Sequence, residues 1–570
     1  MSGIKKQSFL RGTAVLVAAN FLVKIIGAVF KIPLAHILKE EGMALFSSAY
    51  NFYAILFVIA TAGLPVAVSK MVSESVAKHN EREARRIFYA ALSLLTIIGL
   101  LGAFVLFFCA GLLANSVGSE NSTLGIMCIA PAVFFIAVLS AFRGYFQGRS
   151  NMTPTAISEV AEAVGKLVIG LALASLLLPT GIINSASGAV LGVTGGALLG
   201  CLSMVIIYLI DKRKMQVIKL PHPAPMRSMK QIIWSLLAIA VPITLGAAVS
   251  SLTNLIDLFT IRHRLAEITV SAEMHATLSG FYGLTAEEAA IGLPLSEKAT
   301  EVLYGAYSGY AVPMFNLPLT IVTALSMCLV PAISGAFAIR DLGKVRTFTE
   351  VSIRLTTLFA LPCAIGLSIL SEPILAVVYD NARAQSTLAV LGVSVLFVCI
   401  VSVSTAILQA SGRVMLPVKH MAIGGLVKIA TNFFLIPISE INIGGAPLST
   451  ILCYSAIAAL NLVSIAKIIR PEFSVWDNIL KPILAAILMA FGAVICYQFA
   501  ANLIGAAPLS GFIGFLPQNA PITPLVSGMQ MKTALALLFA IIAAAIIYFG
   551  VLLLTKALKK EDISAITKRN

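Results

Sequence analysis

Residues 157–179 read ISEVAEAVGKLVIGLALASLLLP. A mainly apolar run of this length spans the hydrocarbon core of a bilayer as a helix. It nevertheless carries Glu159, Glu162 and Lys166, spaced i, i+3 and i+7, which puts all three on one helix face. Such a helix turns one side to lipid and the other to water or to polar partners. That single reading sets the class of fold, and the rest of the chain repeats it.

Across 570 residues, 59% are hydrophobic and only 11% charged, and mean hydropathy is +0.97. A soluble chain carries about 25% charge, so this one lacks the polar surface for water. Disorder, a fibrous protein and a nucleic-acid-binding domain are excluded on the same grounds. Eight cysteines are scattered singly through apolar runs, which reads as core packing rather than a disulfide framework or metal site.

Fourteen stretches are long and apolar enough to cross a membrane: 10–37, 44–70, 87–113, 122–146, 157–179, 186–210, 231–261, 302–333, 351–371, 386–410, 416–438, 447–467, 479–502 and 531–556. The expected fold is therefore an all-α polytopic membrane protein of about fourteen transmembrane helices. Charge placement gives the orientation. With the N-terminus inside, the alternate connections hold thirty of the forty Lys and Arg residues, and the outer ones hold six. Cytoplasmic loops carry that excess, so both termini are expected in the cytoplasm. The net charge of +15 is then mostly topology and calls for no nucleic acid.

Similar words recur about 262 residues apart. Gln147 and Gln409 share this offset, as do Lys166 and Lys428, and Thr61-Ala62-Gly63-Leu64 is echoed by Thr323-Ala324-Leu325. Two six-helix lobes are expected, 1–220 and 228–470, followed by a helix pair and basic tail over 471–570. An even number of spans per lobe makes the repeats parallel, and such bundles house transport sites where they meet. Residues 265–301 interrupt the second lobe with an acidic extracytoplasmic insertion, read as a surface loop or short helical insert, with a lid as the alternative.

Seven ionisable groups fall within spans: Lys24, Lys31, Glu159, Glu162, Lys166, Asp257 and Lys428. Each costs roughly 2.5–3.5 kcal/mol at a helix centre, so they must meet one another or water. Asn20, Lys24 and Lys31 lie on one face of the first helix, and Asn254 and Asp257 on one face of the seventh, with Arg264 near its outer end. Lys24, Lys31, Lys166, Lys428 and Asn20 are the candidate substrate contacts, since ammonium groups attract phosphate. Asp257, Asn254, Glu159, Glu162, Lys70 and Arg264 are the candidate coupling or gating residues. Glu162 and Lys166 read equally as an internal pair. No GxxxxGK[ST], HExxH or GxSxG motif is present, so no enzyme and no cofactor are expected. Energy would come from Na+, H+ or the membrane potential.

Four words carry a family resemblance: Ala62-Gly63-Leu64-Pro65-Val66-Ala67-Val68-Ser69-Lys70; Arg143-Gly144-Tyr145-Phe146-Gln147-Gly148 with Met152-Thr153-Pro154; Leu329-Val330-Pro331-Ala332-Ile333-Ser334; and Leu408-Gln409-Ala410-Ser411-Gly412-Arg413. They resemble the polysaccharide-transporter branch (SpoVB/YtgP group) of the multidrug/oligosaccharidyl-lipid/polysaccharide exporter superfamily, which is similar to the lipid II flippases. The resemblance implies a flippase of undecaprenyl-pyrophosphate-linked wall precursors in a bacterial cell membrane. It also implies two lobes alternating access around a cationic cavity, with the last two helices holding the lipid tail. Its implied partners are the lipid-linked oligosaccharide, membrane lipid, and proteins of wall synthesis or sporulation. By the same resemblance, Lys24 falls where the lipid II flippases have an arginine before Gly27, and Phe30-Lys31 where they have Arg-Asp. Their eighth-helix arginine has no match in Pro313-Met314-Phe315-Asn316-Leu317-Pro318, and Asp257 resembles a seventh-helix acid linked to sodium in some relatives. The alternative is a proton- or sodium-coupled multidrug or cation antiporter of the same fold.

Overall fold

A computed structural model of the chain describes residues 9–78, 80–214, 227–338, 340–471, 480–506, 509 and 529–555. In chain order the helices are α1 (Phe9–Thr61), α2 (Gly63–Ala77), α3 (Glu81–Phe108), α4 (Ala110–Ser116), α5 (Thr123–Gly148), α6 (Thr153–Leu177), α7 (Ile182–Lys214), α8 (Met229–Ala266), α9 (Ala272–Tyr282), α10 (Glu297–Gly305), α11 (Val312–Ala338), α12 (Leu342–Ile369), α13 (Ser371–Tyr379), α14 (Gln385–Ala410), α15 (Met415–Leu435), α16 (Gly445–Ile468), α17 (Lys481–Ile504) and α18 (Met529–Leu554). Among the described residues the fold is all-helical apart from one isolated bridge, Thr269 to Pro294.

Ten described helices are long and apolar enough to cross a membrane. The first of them, Ala18–Ala77, contains two of the expected stretches, and α8, α11 and α15 take up the other three. The first two stretches form two helices that meet at a sharp kink, where Lys39 leaves helical geometry (φ 53°, ψ −163°). At Ala62 the run is interrupted again, and the next residue, Gly63, sits against α8, where a Cβ would lie 2.1 Å from the Ala240 carbonyl oxygen.

The chain divides into two compact units, Met1–Phe259 and Thr260–Asn570. The lobe boundary expected between 220 and 228 falls mainly on residues outside the described set, as do the first eight residues and most of the basic tail.

The offset seen in the sequence holds in helix register. Helices α3 and α12 are both 28 residues long, capped at their N-termini by the side chains of Asn80 and Asp341. Helices α5 and α14 are both 26 residues. Lys166 stands thirteen residues after Thr153, which opens α6, and Lys428 thirteen after Met415, which opens α15.

Packing in the first unit is set by glycines. Gly188, Gly192, Gly196 and Gly200 recur every fourth residue of α7 and face α6, where added Cβ atoms would meet neighbours at 2.8, 2.2, 2.5 and 3.2 Å. Small residues at this spacing let two membrane helices close up backbone to backbone. Gly144 and Gly148 do the same for α5 against α2, facing the Pro65 and Ser69 carbonyls. Two of the four motif words therefore pack on each other. In the second unit Ser334 Oγ donates to the Ala410 carbonyl at 3.1 Å, which joins the other two.

Also in the second unit, α17 and α18 pack together and onto α12 through a core including Leu358, Leu361, Met489 and Tyr497. Tyr548 Oη donates to the Leu358 carbonyl at 2.8 Å. The other side of α17 exposes Leu484, Leu488, Phe491, Ile495, Phe499 and Leu503, an apolar stripe suited to lipid.

Candidate functional site

In the first unit the charged face of α6 meets α5 and α1. Arg143, which closes the apolar part of α5, extends Nη2 to 3.0 Å from Glu162 Oε2 and donates from Nε to Ser158 Oγ at 3.0 Å. Ser158 passes its own hydrogen to the Thr155 carbonyl at 2.8 Å. The pair is largely buried, with side-chain exposures of 11% and 25%. Glu162 and Lys166, expected as one alternative to be an internal pair, are not an ion pair. Glu162 takes Arg143 from the neighbouring helix instead.

Lys166 points elsewhere. Its Nζ lies 5.1 Å from the centre of the Phe30 ring and 4.7 Å from that of Tyr50, both on α1. Cation–π contacts of this kind are worth roughly 0.5–2 kcal/mol. Phe30 is seated by Gly170, where a Cβ would be 2.8 Å from the ring edge. Lys31 lies close enough to Lys166 for the two charges to repel each other, so two ammonium groups share this region. Among the described residues neither Lys31 nor Lys166 forms an ion pair. Glu159 Oε2 is buried and has no hydrogen-bond partner among the described residues.

The other candidates separate. Lys24 is exposed among exposed Phe21, Leu22, Ile25 and Val29, and does not share the surroundings of Lys31. Asn20 is half-buried, whereas Lys70 on α2 and Asn254 on α8 are exposed. Asp257 is buried, unlike its expected face-mate Asn254.

In the second unit Lys428 is only 2% exposed, and one turn on Asn432 Nδ2 donates to Thr260 Oγ1 at 2.8 Å. Arg264 pairs with Glu267 and lies over the Phe433 ring at 4.0 Å. Residues 265–301 form an ordered insert rather than a bare loop. Ser271 and Ser296 cap α9 and α10, and Glu301 reaches 3.4 Å from Arg262 with side-chain exposures of 2% and 1%.

Sequence reasoning missed Arg143, counted as a cytoplasmic loop charge, and Arg262, counted as an outer one. A signal was present for the first: Arg143 sits in an apolar run, with Glu159 and Glu162 facing back across the short turn at 149–152.

A family model described as polysaccharide biosynthesis protein matches residues 9–337, more than half of the chain. The chain belongs to that family. A second model, lipid II flippase MurJ, matches residues 296–508. Stage V sporulation protein B of Bacillus subtilis (strain 168) is 27% identical over 465 residues, covering 81% of this chain and 85% of its own. Lipid II flippase MurJ of the same organism is 26% identical over 484 residues, covering 81% and 83%. A solved lipid II flippase MurJ in an inward closed conformation matches with a TM-score of 0.65 at 14% identity, over 95% of this chain and all of that one. Family and fold together make this a multi-pass membrane protein with a MurJ-like helical architecture.

Proposed function

We propose that this protein is a transporter, not an enzyme, and that it flips a polyprenyl-pyrophosphate-linked saccharide across the cell membrane by alternating access. The observation that carries the reading is the uncompensated pair Lys31 and Lys166. Arg143 already holds Glu162, so neither lysine forms an ion pair within the described residues, and pyrophosphate is the anionic part of such a lipid that could supply one. The relatives named as lipid II flippases support the substrate class. The exposed apolar stripe of α17 suits a lipid tail that stays in the bilayer while the head group crosses. Lys24 and Asn20 are proposed as further cationic or polar contacts of the first unit, and Lys428 as one of the second. Both termini are proposed to be cytoplasmic, on the Lys and Arg distribution.

For coupling, a carboxyl oxygen buried without a donor is least costly when the group carries a proton. Glu159 is accordingly proposed to load and release a proton, and Asp257, buried on α8, is proposed as a second coupling residue. Purified protein in liposomes, supplied with fluorescent lipid II, tests the substrate reading: translocation lost in Lys31→Ala and Lys166→Ala supports it. Ethidium efflux without lipid translocation would instead favour the antiporter.

A further inference from the structure

Phe30 and Phe46 would stand about 24 Å apart on one straight helix, yet their ring centres are 6.0 Å apart. The two arms of α1 that meet at Lys39 therefore fold back on each other. Phe46 also stacks on Tyr50, one turn further on, at 5.8 Å with an interplanar angle of 13°. The fold-back thus brings Phe30 from one arm and Tyr50 from the other to a single ammonium. Lys166 Nζ lies 5.1 Å from the first ring centre and 4.7 Å from the second. Gly170, one turn beyond Lys166 on the same face of α6, leaves the room that Phe30 fills. Phe30 is 1% exposed, whereas Tyr50 and Lys166 are half-buried.

Rings hold an ammonium differently from a carboxylate. An aromatic face attracts a cation through its quadrupole and carries no net charge, so this clamp brings no counter-ion into the site. Glu162, a turn earlier on α6, would bring one, but Arg143 holds it instead. Lysine's stem is flexible, and ordering a free side chain when a ligand arrives costs affinity. Two rings that fix the ammonium beforehand remove that cost. We propose that Phe30 and Tyr50 are positioning residues: acting through Lys166, they hold its ammonium in place for a phosphate group of the transported molecule. The inference rests on the anionic head group proposed above and adds the side chains that set its affinity. In Tyr50 it is the ring face under Nζ that acts, not the hydroxyl.

The test uses the full chain in detergent micelles, labelled with 13C at lysine Cε, with inorganic pyrophosphate as the probe. NMR assigns Lys166 by its loss in Lys166→Met. Held over two ring faces, its ε protons are expected upfield of the ordinary lysine position through the ring currents. Tyr50→Leu should move them downfield and weaken pyrophosphate binding roughly 2–30-fold, while Tyr50→Phe leaves both as in the parent. If Tyr50→Leu does not fold, Phe30→Leu gives the same two readings from the other ring. Four results would overturn the proposal: Lys166 at the ordinary lysine position, no pyrophosphate binding by the parent, binding undiminished by loss of a ring, or a Tyr50→Phe variant as weak as Tyr50→Leu. A parent that binds pyrophosphate through the clamp yet moves no lipid II would support the clamp and overturn only the flippase reading.

Discussion

Arg143 holds Glu162 at 3.0 Å across the α5–α6 contact and so takes from Lys166 the carboxylate one turn away on its own helix. This pairing divides the charged face of α6 in two: a neutralised half against α5 and an open cationic half against Phe30 and Tyr50 of α1. Removing Arg143 should therefore do more than delete a charge. Arg143→Met leaves Glu162 buried without its partner, and the expected cost is about 3 kcal/mol, the low end for breaking a buried pair. Glu162→Gln added to that variant should recover much of the loss. Thermal unfolding in detergent of the single and double variants measures both.

The glycine stripe of α7 sets where that face sits. A Cβ at Gly196 would stand 2.5 Å from the Glu162 carbonyl oxygen and 2.8 Å from the Lys166 amide nitrogen, both backbone atoms that cannot swing aside. Gly196→Ala should destabilise by about 1–3 kcal/mol and displace Lys166 from its rings, lowering transport as well. Gly27→Ala on α1 is the matched control: nothing lies within 4 Å of its added carbon. It should be neutral or gain about 0.5–1 kcal/mol.

The insert depends on a second buried pair. Glu301→Gln removes the carboxylate that Arg262, 2% exposed, approaches to 3.4 Å, and should cost about 3 kcal/mol. Limited proteolysis should then cut within 265–301 faster than in the parent protein.

A surface contact of the same insert gives a pH dependence of known sign. Lys298 and the Thr285 amide hold the Glu288 carboxyl below its ordinary range. Its small contribution to stability is present at neutral pH and is lost as the pH falls through the lowered value. Glu288→Gln should flatten that part of the stability profile, measured as the unfolding midpoint between neutral and acid pH.

Much of this was legible beforehand. Among the described residues each of the fourteen apolar stretches is mostly helical, because a run of about twenty apolar residues has few other ways to satisfy its backbone in lipid. The shared face of Glu159, Glu162 and Lys166 followed from spacing alone. What spacing could not supply was the partner, because a helix wheel ranks neighbours on one helix and is blind to the next. Arg143 and Arg262 were assigned to loops by charge topology, yet both are buried in ion pairs within helices. Lys39 falls in the expected break between the first two spans, and there the chain leaves helical geometry for a single residue rather than opening into a loop. The four-residue spacing of Gly188, Gly192, Gly196 and Gly200 was visible in the sequence, but its consequence required knowing that α6 lies opposite.

The central claim is that Lys31 and Lys166 hold the anionic head group, and one comparison tests it most directly. Lys31→Ala, Lys166→Ala and the double variant are reconstituted in liposomes, and translocation of fluorescent lipid II is measured beside thermal stability. Lys31→Ala should leave stability unchanged and Lys166→Ala should lose only its two ring contacts, about 0.5–2 kcal/mol, while translocation falls at least tenfold in each single variant and is abolished in the double. Parental translocation by a folded double variant would contradict the account.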